Sequence, residues 1–370
     1  MQEKPRILQF GTSRFLLAHA DFFVSEALAR GEAIGTIAVV QTTSNPQSAR
    51  RIAALNEGTG YPVIIRGLSE GAPVEKTYRV QGVTAAYSAH EDWPAILELG
   101  ATVDVILSNT GDRGYELEAD EGRSLPVTMP KSFPAKLLVL LHHRWQRNPD
   151  APLSIFPCEL ISRNGGKLRS ILLGLARDWQ LPDGFIRWIE TRCIFANSLV
   201  DRIVSEPIEP VGAIAEPYAL WAIEKAEGLV LPCTHPDIVV TGDLPRYERL
   251  KLHLLNLGHS FIAERWLKNG RPKDETVLEA MQDDAIRTEL EAVWGEEVLP
   301  VFAADGLGAE AKTYIVSVRE RFLNPFLKHR IADIASNHEE KKQRRFVPVI
   351  ARAAELGLGL EQPRLKAALA

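Results

Sequence analysis

The first part of the chain alternates short apolar runs with longer segments whose apolar residues have helical spacing. Four runs are apolar enough to be strands buried on both faces of a sheet: residues 6–10 (RILQF), 36–41 (TIAVVQ), 103–108 (VDVILS) and 153–157 (LSIFP). Apolar residues three and four positions apart predict helices over residues 15–30, 46–55 and 134–145. The opening strand–turn–helix–strand order predicts a βαβ unit and therefore a parallel sheet.

The pattern changes in the last third of the chain. Residues 63–82 still contain alternating stretches that predict short additional strands, but few strand candidates follow Val240. Helical spacing then dominates, and it predicts helices over residues 246–267, 274–293, 311–322 and 332–337. We therefore predict an α/β domain with a doubly wound sheet over residues 1–245, which binds a dinucleotide, and a mostly α-helical substrate and catalytic domain over residues 246–370.

Composition and charge exclude several classes of protein. The net charge of −5 lacks the basic surplus of a nucleic-acid binder, and the basic run at 341–345 directly follows two glutamates, as in a solvated segment. The three cysteines, Cys158, Cys193 and Cys233, are far apart, so neither a zinc pair nor a disulfide framework is expected, and a cytoplasmic setting fits best. We expect no signal peptide and no membrane helix, because no apolar run approaches ~20 residues.

The turn after the first strand is a candidate phosphate site. A strand that runs into a turn and a helix N-terminus presents free N–H groups to an anion. The usual fingerprint is G-x-G-x-x-G, whereas this chain has Gly11-x-Ser13-x-x-Leu16. A single glycine after a strand is also what an ordinary turn requires, so the fingerprint alone leaves both interpretations open.

The next two strand ends bear on cofactor choice. The second strand ends in Gln41-Thr42-Thr43-Ser44, where NAD-binding domains normally place an acid for the ribose hydroxyls. Without that acid, NADP is not excluded. The strand over residues 103–108 ends in Ser108-Asn109-Thr110, where a doubly wound sheet has its ligand crevice.

The segment Lys251-Leu-His-Leu-Leu-Asn256-Leu-Gly-His259 is the main catalytic candidate. On an α-helix, Asn256 and His259 lie about 140° and about 80° from Lys251, so the three can line one polar groove. Burial among leucines favours a neutral lysine, which can take a proton from a carbinol as hydride leaves. Asn256 can stabilise the alkoxide. The alternative is a surface lysine on an amphipathic helix that also carries a satisfied core histidine.

Lys-x4-Asn-x2-His resembles the signature of the polyol-specific long-chain dehydrogenases, the mannitol dehydrogenase family. The resemblance extends from residue 7 to about residue 350 and is closest to the family's tagaturonate-reductase branch. Its further motifs are residues 7–15 (ILQFGTSRF), 107–110 (LSNT), 157–161 (PCELI) with Asn164-Gly165, 197–203 (NSLVDRI), and 321–326 (RFLNPF) with His329.

The resemblance implies a Rossmann-type first domain, a helical second domain and a site between them. It implies Lys251 as general acid/base, Asn256 and Asn164 as oxyanion donors, and His259 as a substrate ligand. Glu248 would relay a proton, or it would form a plain i,i+3 salt bridge with Lys251. The cofactor would be NAD, bound by residues that the sequence places at the three strand ends: Gly11, Thr12, Ser13, Arg14, Phe15, Gln41, Asn109 and Thr110.

The same resemblance suggests a substrate. Sequence motifs typical of tagaturonate reductases imply that the substrate is a sugar acid such as altronate. The enzyme would interconvert this acid with its keto form without a metal. A carboxylate favours an arginine; Arg330 is the first choice, with Arg321 and Asn197 as further candidates, although an internal salt bridge is an alternative role for each arginine.

Two other functions compete with the sugar-acid dehydrogenase. A polyol or polyol-phosphate dehydrogenase would use the same scaffold. A nucleotide-binding regulator would account for the incomplete glycine fingerprint, but it has no need of the Lys251–Asn256–His259 set. In each case we expect a small-molecule ligand, no nucleic acid or membrane partner, and a monomer or small homo-oligomer.

Overall fold

The structure, a computed structural model, describes residues 4–43, 45–111, 113–118, 121–122 and 124–370. The chain divides into two compact units. The first unit comprises residues 1–65, 76–215 and 219–244, and the second comprises residues 66–75, 216–218 and 245–370. The second unit thus takes in two short segments that the predicted division 1–245/246–370 assigned to the first domain.

The strands, numbered in chain order, lie in three sheets. They are β1 Ile7–Phe10, β2 Ile37–Gln41, β3 Tyr61–Ser69, β4 Ala72–Val80, β5 Val83–Ser88, β6 Val105–Ser108, β7 Leu153–Pro157, β8 Cys193–Phe195, β9 Ser198–Asp201, β10 Val204–Pro207, β11 Ala213–Ala215, β12 Leu220–Glu224 and β13 Ile238–Thr241. Within the described residues, β5-β2-β1-β6-β7-β8 form the main sheet, β10-β11-β3-β4 a second and β13-β12-β9 a third.

All neighbouring strands of the main sheet are parallel. Numbered along the chain among themselves, these strands have the order 3-2-1-4-5-6, which is the Rossmann order. The strands β1, β2, β6 and β7 are buried along their whole length, because helices cover both faces of the sheet. The predicted parallel sheet is therefore confirmed, and its order reverses between β1 and β6.

The helices of the first unit pack around this sheet. They are α1 Arg14–Leu17, α2 Ala20–Arg30, α3 Pro46–Asn56, α4 Trp93–Gly100, α5 Phe133–Arg147, α6 Asn164–Asp178 and α7 Asp183–Arg192. The helix predicted over residues 15–30 is thus two helices. His19, which joins them, has φ −128° and ψ −92°, outside the helical region.

The second unit is mostly helical, as predicted for the C-terminal region. Its α-helices are α8 Leu244–Leu250, α9 Leu257–Lys268, α10 Val277–Gln282, α11 Asp284–Ala292, α12 Leu299–Ala304, α13 Gly308–Phe322, α14 Ile331–Ile334, α15 His338–Arg345, α16 Val347–Glu355 and α17 Pro363–Leu369. Two π-helical turns interrupt this series, π1 over Lys251–Asn256 and π2 over Val293–Val298. The helix predicted over residues 246–267 is therefore α-helical at both ends and π-helical over Lys251–Asn256.

A search of the described residues found no helix long and apolar enough to cross a membrane.

Candidate active site

The first strand of the parallel sheet ends in a turn that requires glycine. Gly11 has φ +108°, in the region that residues with a Cβ disfavour. A Cβ there would lie 2.6 Å from the Asn109 carbonyl oxygen. The Ser13 hydroxyl donates to Asn109 Oδ1 at 3.1 Å and accepts from Leu16 N at 3.3 Å. The two predicted cofactor loops are therefore adjacent, at the point where the strand order reverses and such sheets bind dinucleotides.

The end of β2 forms a neutral hydrogen-bonded group beside the same turn. The Thr12 hydroxyl donates to the Gln41 amide oxygen, and Gln41 Nε2 donates to Thr43 Oγ1 at 2.6 Å. Arg51 reaches this group from α3, and its Nη1 lies 3.3 Å from Thr12 Oγ1. Gln41 thus occupies the position where an acid was missing in the sequence. Ser44, which follows in the predicted loop, lies outside the described residues.

Arg14 and Phe15 make contacts within the first unit. The exposed Arg14 donates through Nη1 to the Ser205 carbonyl oxygen at 3.0 Å. Phe15 stacks on His19 with ring centroids 4.7 Å apart. These contacts fix the two side chains on α1, and their predicted part in cofactor binding stays a prediction.

Glu159 is the centre of a network to which the sequence analysis assigned no role. One carboxylate oxygen accepts from Thr110 N and Thr110 Oγ1, both at 3.0 Å. The other accepts from Ser108 Oγ at 3.1 Å and from Tyr115 Oη at 3.4 Å. Burial raises the pKa of Glu159, and the hydrogen bonds from Ser108 and Thr110 oppose this shift. The network fixes the loop after β6 against the loop after β7.

Asn164 begins α6 and is buried, with both ends of its amide in use. Its Nδ2 lies 2.9 Å from the Pro157 carbonyl oxygen and 3.0 Å from that of Ser198. Its Oδ1 accepts from Ser198 N and Gly165 N, both at 2.9 Å. Asn164 therefore joins β7, α6 and β9. The oxyanion role implied by the resemblance has to be tested against this internal bonding.

Asn197 has a similar structural position beside α6. Its Oδ1 accepts from Gly166 N at 2.9 Å, and its Nδ2 donates to Glu224 Oε2 at 2.6 Å. Only 7% of the residue is exposed. Its predicted contact with substrate therefore competes with two bonds inside the first unit, and that contact stays a prediction.

In the second unit, Lys251 and Asn256 are the first and last residues of π1. In a π-helix, backbone hydrogen bonds join residues five positions apart, so such residues lie roughly one above the other on the helix. On an α-helix the same two residues would be about 140° apart. The observed turn therefore brings Lys251 and Asn256 closer to one face than the α-helical estimate did.

His259 lies one turn beyond Asn256, on α9. Its ring stacks on Phe322 at 4.4 Å and meets His329 edge to face at 4.9 Å. Burial lowers the pKa of His329, so its ring is neutral at neutral pH. The sequence analysis quoted His329 as part of a motif, without a role. The structure now places it against the predicted substrate ligand His259.

The other predicted substrate and relay residues are Arg321, Arg330 and Glu248. Arg321 is bound to Glu216 in a buried ion pair and lies over the Tyr218 ring. Arg330 is exposed, and its backbone pairs with Thr276. Within the residues that the structure describes, no ion pair joins the half-buried Glu248 to Lys251. The roles predicted for Arg330, Arg321 and Glu248 therefore remain predictions.

Sequence reasoning missed two groups for different reasons. The partners of Glu159 on the β6 loop are about fifty positions away in sequence, so no local spacing marks them. The π-helical turn is likewise invisible, because six residues are too few to separate its period from that of an α-helix. The motif PCELI, which contains Glu159, could have indicated that residue. His329 could have been found because it was quoted beside the motif at residues 321–326.

The described residues contain no group of three or more His, Cys, Asp or Glu side chains that could hold a metal ion.

Comparisons with known proteins match both units. Residues 5–230 match the mannitol dehydrogenase Rossmann domain, and residues 243–370 match the mannitol dehydrogenase C-terminal domain. The altronate oxidoreductase of Bacillus subtilis is 31% identical over 96% of this chain and 76% of its own length. The altronate oxidoreductase of Klebsiella pneumoniae is 32% identical over 100% of this chain and 79% of its own.

Two solved structures share the fold. Substrate-free D-sorbitol dehydrogenase has a TM-score of 0.80 and 21% identity, covering 95% of this chain and 76% of the other. Mannitol 2-dehydrogenase of Pseudomonas fluorescens, solved with NAD and D-mannitol, has a TM-score of 0.74 and 18% identity, covering 99% of this chain and 78% of the other. With both domains matched in order along the chain, this protein belongs to the mannitol dehydrogenase family of oxidoreductases, which act on CH–OH groups.

Proposed function

We propose that the protein is a metal-independent, NAD-dependent oxidoreductase that interconverts a hexonate of the altronate type with its keto form. The observation that carries this proposal is the similarity to altronate oxidoreductases, at or above 31% identity over almost the whole chain. Both domains of the family match along the chain, at residues 5–230 and 243–370.

The residues of the first unit fit a nicotinamide dinucleotide. Gly11 lets the turn after β1 approach the backbone of Asn109, and Ser13 joins the two turns by a hydrogen bond. Thr12 and Gln41 offer neutral groups at the end of β2, where the ribose of a dinucleotide lies in such folds. When bound, the cofactor supplies the acceptor or donor of hydride.

The second unit supplies the proton chemistry. In the oxidation direction, the Lys251 amine takes the proton of the substrate hydroxyl. A bound nicotinamide would accept the hydride that leaves the carbinol carbon as its C=O bond forms. The Asn256 amide donates to the oxygen as negative charge develops on it. His259, beside the neutral ring of His329, binds a substrate hydroxyl. Reduction reverses these steps, and Lys251 returns its proton to the new hydroxyl.

The substrate carboxylate needs a cation. Arg330 is our first candidate because it follows His329 directly and its side chain is exposed. Arg321 is the second, and it would have to serve both the substrate and Glu216. Three free, buried cysteines support a cytoplasmic enzyme, since a reducing compartment keeps such thiols free.

A substrate panel tests the proposal. Purified enzyme is offered altronate, mannonate, mannitol and mannitol 1-phosphate, each with NAD and with NADP. Formation of NADH or NADPH is followed by the absorbance of the reduced nicotinamide. We expect turnover of altronate with NAD. Turnover of mannitol alone would overturn the sugar-acid assignment in favour of a polyol dehydrogenase.

The same assay tests metal independence. Overnight dialysis against a chelator should leave altronate turnover unchanged, because proton transfer is assigned to Lys251 and oxyanion stabilisation to Asn256. Loss of activity that a divalent cation restores would contradict this part of the proposal.

A further inference from the structure

The π1 turn, which carries Lys251 and Asn256, is held by a side chain from the other π-helical turn. Leu257 N donates to the carbonyl oxygens of both Leu252 and Leu254. The spacing of the backbone hydrogen bonds therefore changes at the end of π1. The Leu254 carbonyl oxygen also accepts from Trp294 Nε1 at 3.2 Å. Trp294 belongs to π2 and is fully buried. A buried tryptophan N–H usually has a hydrogen-bond acceptor, and for Trp294 the π1 turn supplies it.

A second side chain holds the end of the same turn. Arg345 Nη1 donates to the Asn256 carbonyl oxygen at 3.1 Å and to Ser260 Oγ at 2.7 Å. The Arg345 carbonyl oxygen in turn lies 3.0 Å from His253 Nδ1. Burial lowers the pKa of Arg345 to about 10, so the guanidinium stays charged at neutral pH. Two backbone oxygens in the second half of π1, those of Leu254 and Asn256, are thus bonded to side chains from distant elements.

The packing around Trp294 leaves little room for another arrangement. A Cβ on Gly258 would lie 2.8 Å from Trp294 Cζ2, so the indole lies directly on the backbone of α9. Trp294 also contacts Phe322, with ring centroids 5.9 Å apart. Phe322 is the residue on which His259 stacks. Trp294 therefore contacts the predicted catalytic segment at Leu254 and Gly258, and it is linked to His259 through Phe322.

We infer that Trp294 and Arg345 are positioning residues that keep residues 251–256 in the π-helical turn and so present Lys251 and Asn256 together to the substrate. If the hydrogen bonds from Trp294 and Arg345 are lost, the segment can relax to an α-helix, which is the more stable form for an isolated segment. That change would rotate Asn256 away from Lys251. The inference rests on the proposed dehydrogenase function, in which these two residues act on one oxygen.

The chain offers a matched pair of tryptophans for the test. Trp294→Phe keeps a six-membered aromatic ring in the core but removes the pyrrole ring, whose N–H holds Leu254. Trp266→Phe removes an equivalent N–H, which donates to the Pro272 carbonyl oxygen at 2.8 Å elsewhere in the same unit. We expect Trp294→Phe to lower kcat about 10- to 100-fold with altronate, since displacements of about 1 Å cost that much. The KM for NAD should stay unchanged, and Trp266→Phe should keep the parent kcat.

Hydrogen exchange gives a readout that does not depend on activity. In Trp294→Phe, the amides of residues 251–260 should exchange faster than in the parent, whereas in Trp266→Phe they should not. If the parent turns over no substrate, the proposed function fails while hydrogen exchange still tests the hydrogen bond from Trp294. Parent-like exchange and parent-like kcat in Trp294→Phe would overturn the inference.

Arg345→Gln provides a second variant in case Trp294→Phe does not fold. It removes the charged donor to Asn256 and should lower kcat with unchanged KM for NAD, by the same order of about 10-fold or more. A parent-like kcat in a folded Arg345→Gln enzyme would exclude Arg345 as a positioning residue.

Discussion

Arg321 and Glu216 form a bidentate ion pair in the second unit, with Arg321 Nε 3.0 Å from Glu216 Oε2 and Nη2 2.9 Å from Oε1. Their side chains are only 3% and 1% exposed. Removal of one partner from such a pair leaves a buried charge without compensation, which costs about 3–5 kcal/mol. We therefore expect Arg321→Ala to lower the free energy of unfolding by about that amount in urea titrations.

Arg319→Ala is the control for this prediction. Arg319 lies on the same helix, α13, and also forms a bidentate pair, with Glu291, but the two side chains are 40% and 33% exposed. Its loss should cost no more than about 1 kcal/mol. If Arg321→Ala instead raised the KM for altronate at parent stability, Arg321 would be a substrate ligand rather than an internal partner.

The turn after β1 makes a second prediction possible. Gly11→Ala adds a Cβ that would lie 2.6 Å from the Asn109 carbonyl oxygen, so the two cofactor loops must separate. We expect the affinity for NADH, measured by fluorescence titration, to fall about tenfold or more, which is about 1.4 kcal/mol. Gly58→Ala is the control: Gly58 has φ +70° but no atom within 4 Å of its Cβ position, so it shares the backbone strain without the clash. Equal NADH affinity in both variants would show that Gly11 does not belong to the cofactor site.

The strands could be predicted from the sequence where they are buried on both faces of the sheet. The runs at 36–41 and 153–157 were recognisable because strands covered on both faces are continuously apolar, and β2 and β7 lie there. Within the main sheet, the strands β5 and β8 were not predicted. β5 reads VTAAYS, with half-buried positions, and β8 has only three residues, so neither produces a clear run.

The sequence motif proposes residues for the candidate site but does not give its geometry. The motif placed Lys251 and Asn256 on one helical segment, which is correct. The shape of that segment depends on Trp294, whose N–H reaches Leu254 across 40 positions of sequence. Similarly, both amide ends of Asn164 are bonded to groups from three elements, which the dipeptide Asn164-Gly165 does not reveal. Long-range hydrogen bonds are the information that local patterns lack.

Asp21 predicts a pH dependence of stability. Its carboxyl is fully buried on α2, with Oδ2 3.0 Å from Tyr61 Oη, and burial raises its pKa to about 7 despite hydrogen bonds from Tyr61 and Gln9 that lower it. Folding therefore takes up a proton, and the resulting stabilisation is complete below about pH 3.8, the ordinary value, and is lost as pH rises through about 7. Between pH 6 and 8 this group alone should lower the free energy of unfolding by about 1.4 kcal/mol.

Asp21→Asn is the variant that isolates this effect. An amide keeps the shape of the carboxyl but cannot ionise, so urea titrations at pH 6 and pH 8 should differ by about 1.4 kcal/mol less than in the parent. An unchanged difference between the two pH values would show that Asp21 is ionised throughout this range.

Lys251→Ala tests the assignment of the general acid/base directly. Without the amine, no group is assigned to take the hydroxyl proton as hydride leaves, so turnover of altronate should fall about 10²- to 10⁴-fold. NADH should still bind with parent affinity, because the cofactor turns at Gly11 and Asn109 belong to the first unit. Lys312→Ala, which removes an exposed lysine from α13, serves as the control and should keep full activity. Partial recovery of Lys251→Ala activity on addition of a small primary amine would assign the loss to the missing base, whereas parent-like turnover without any amine would remove Lys251 from the mechanism.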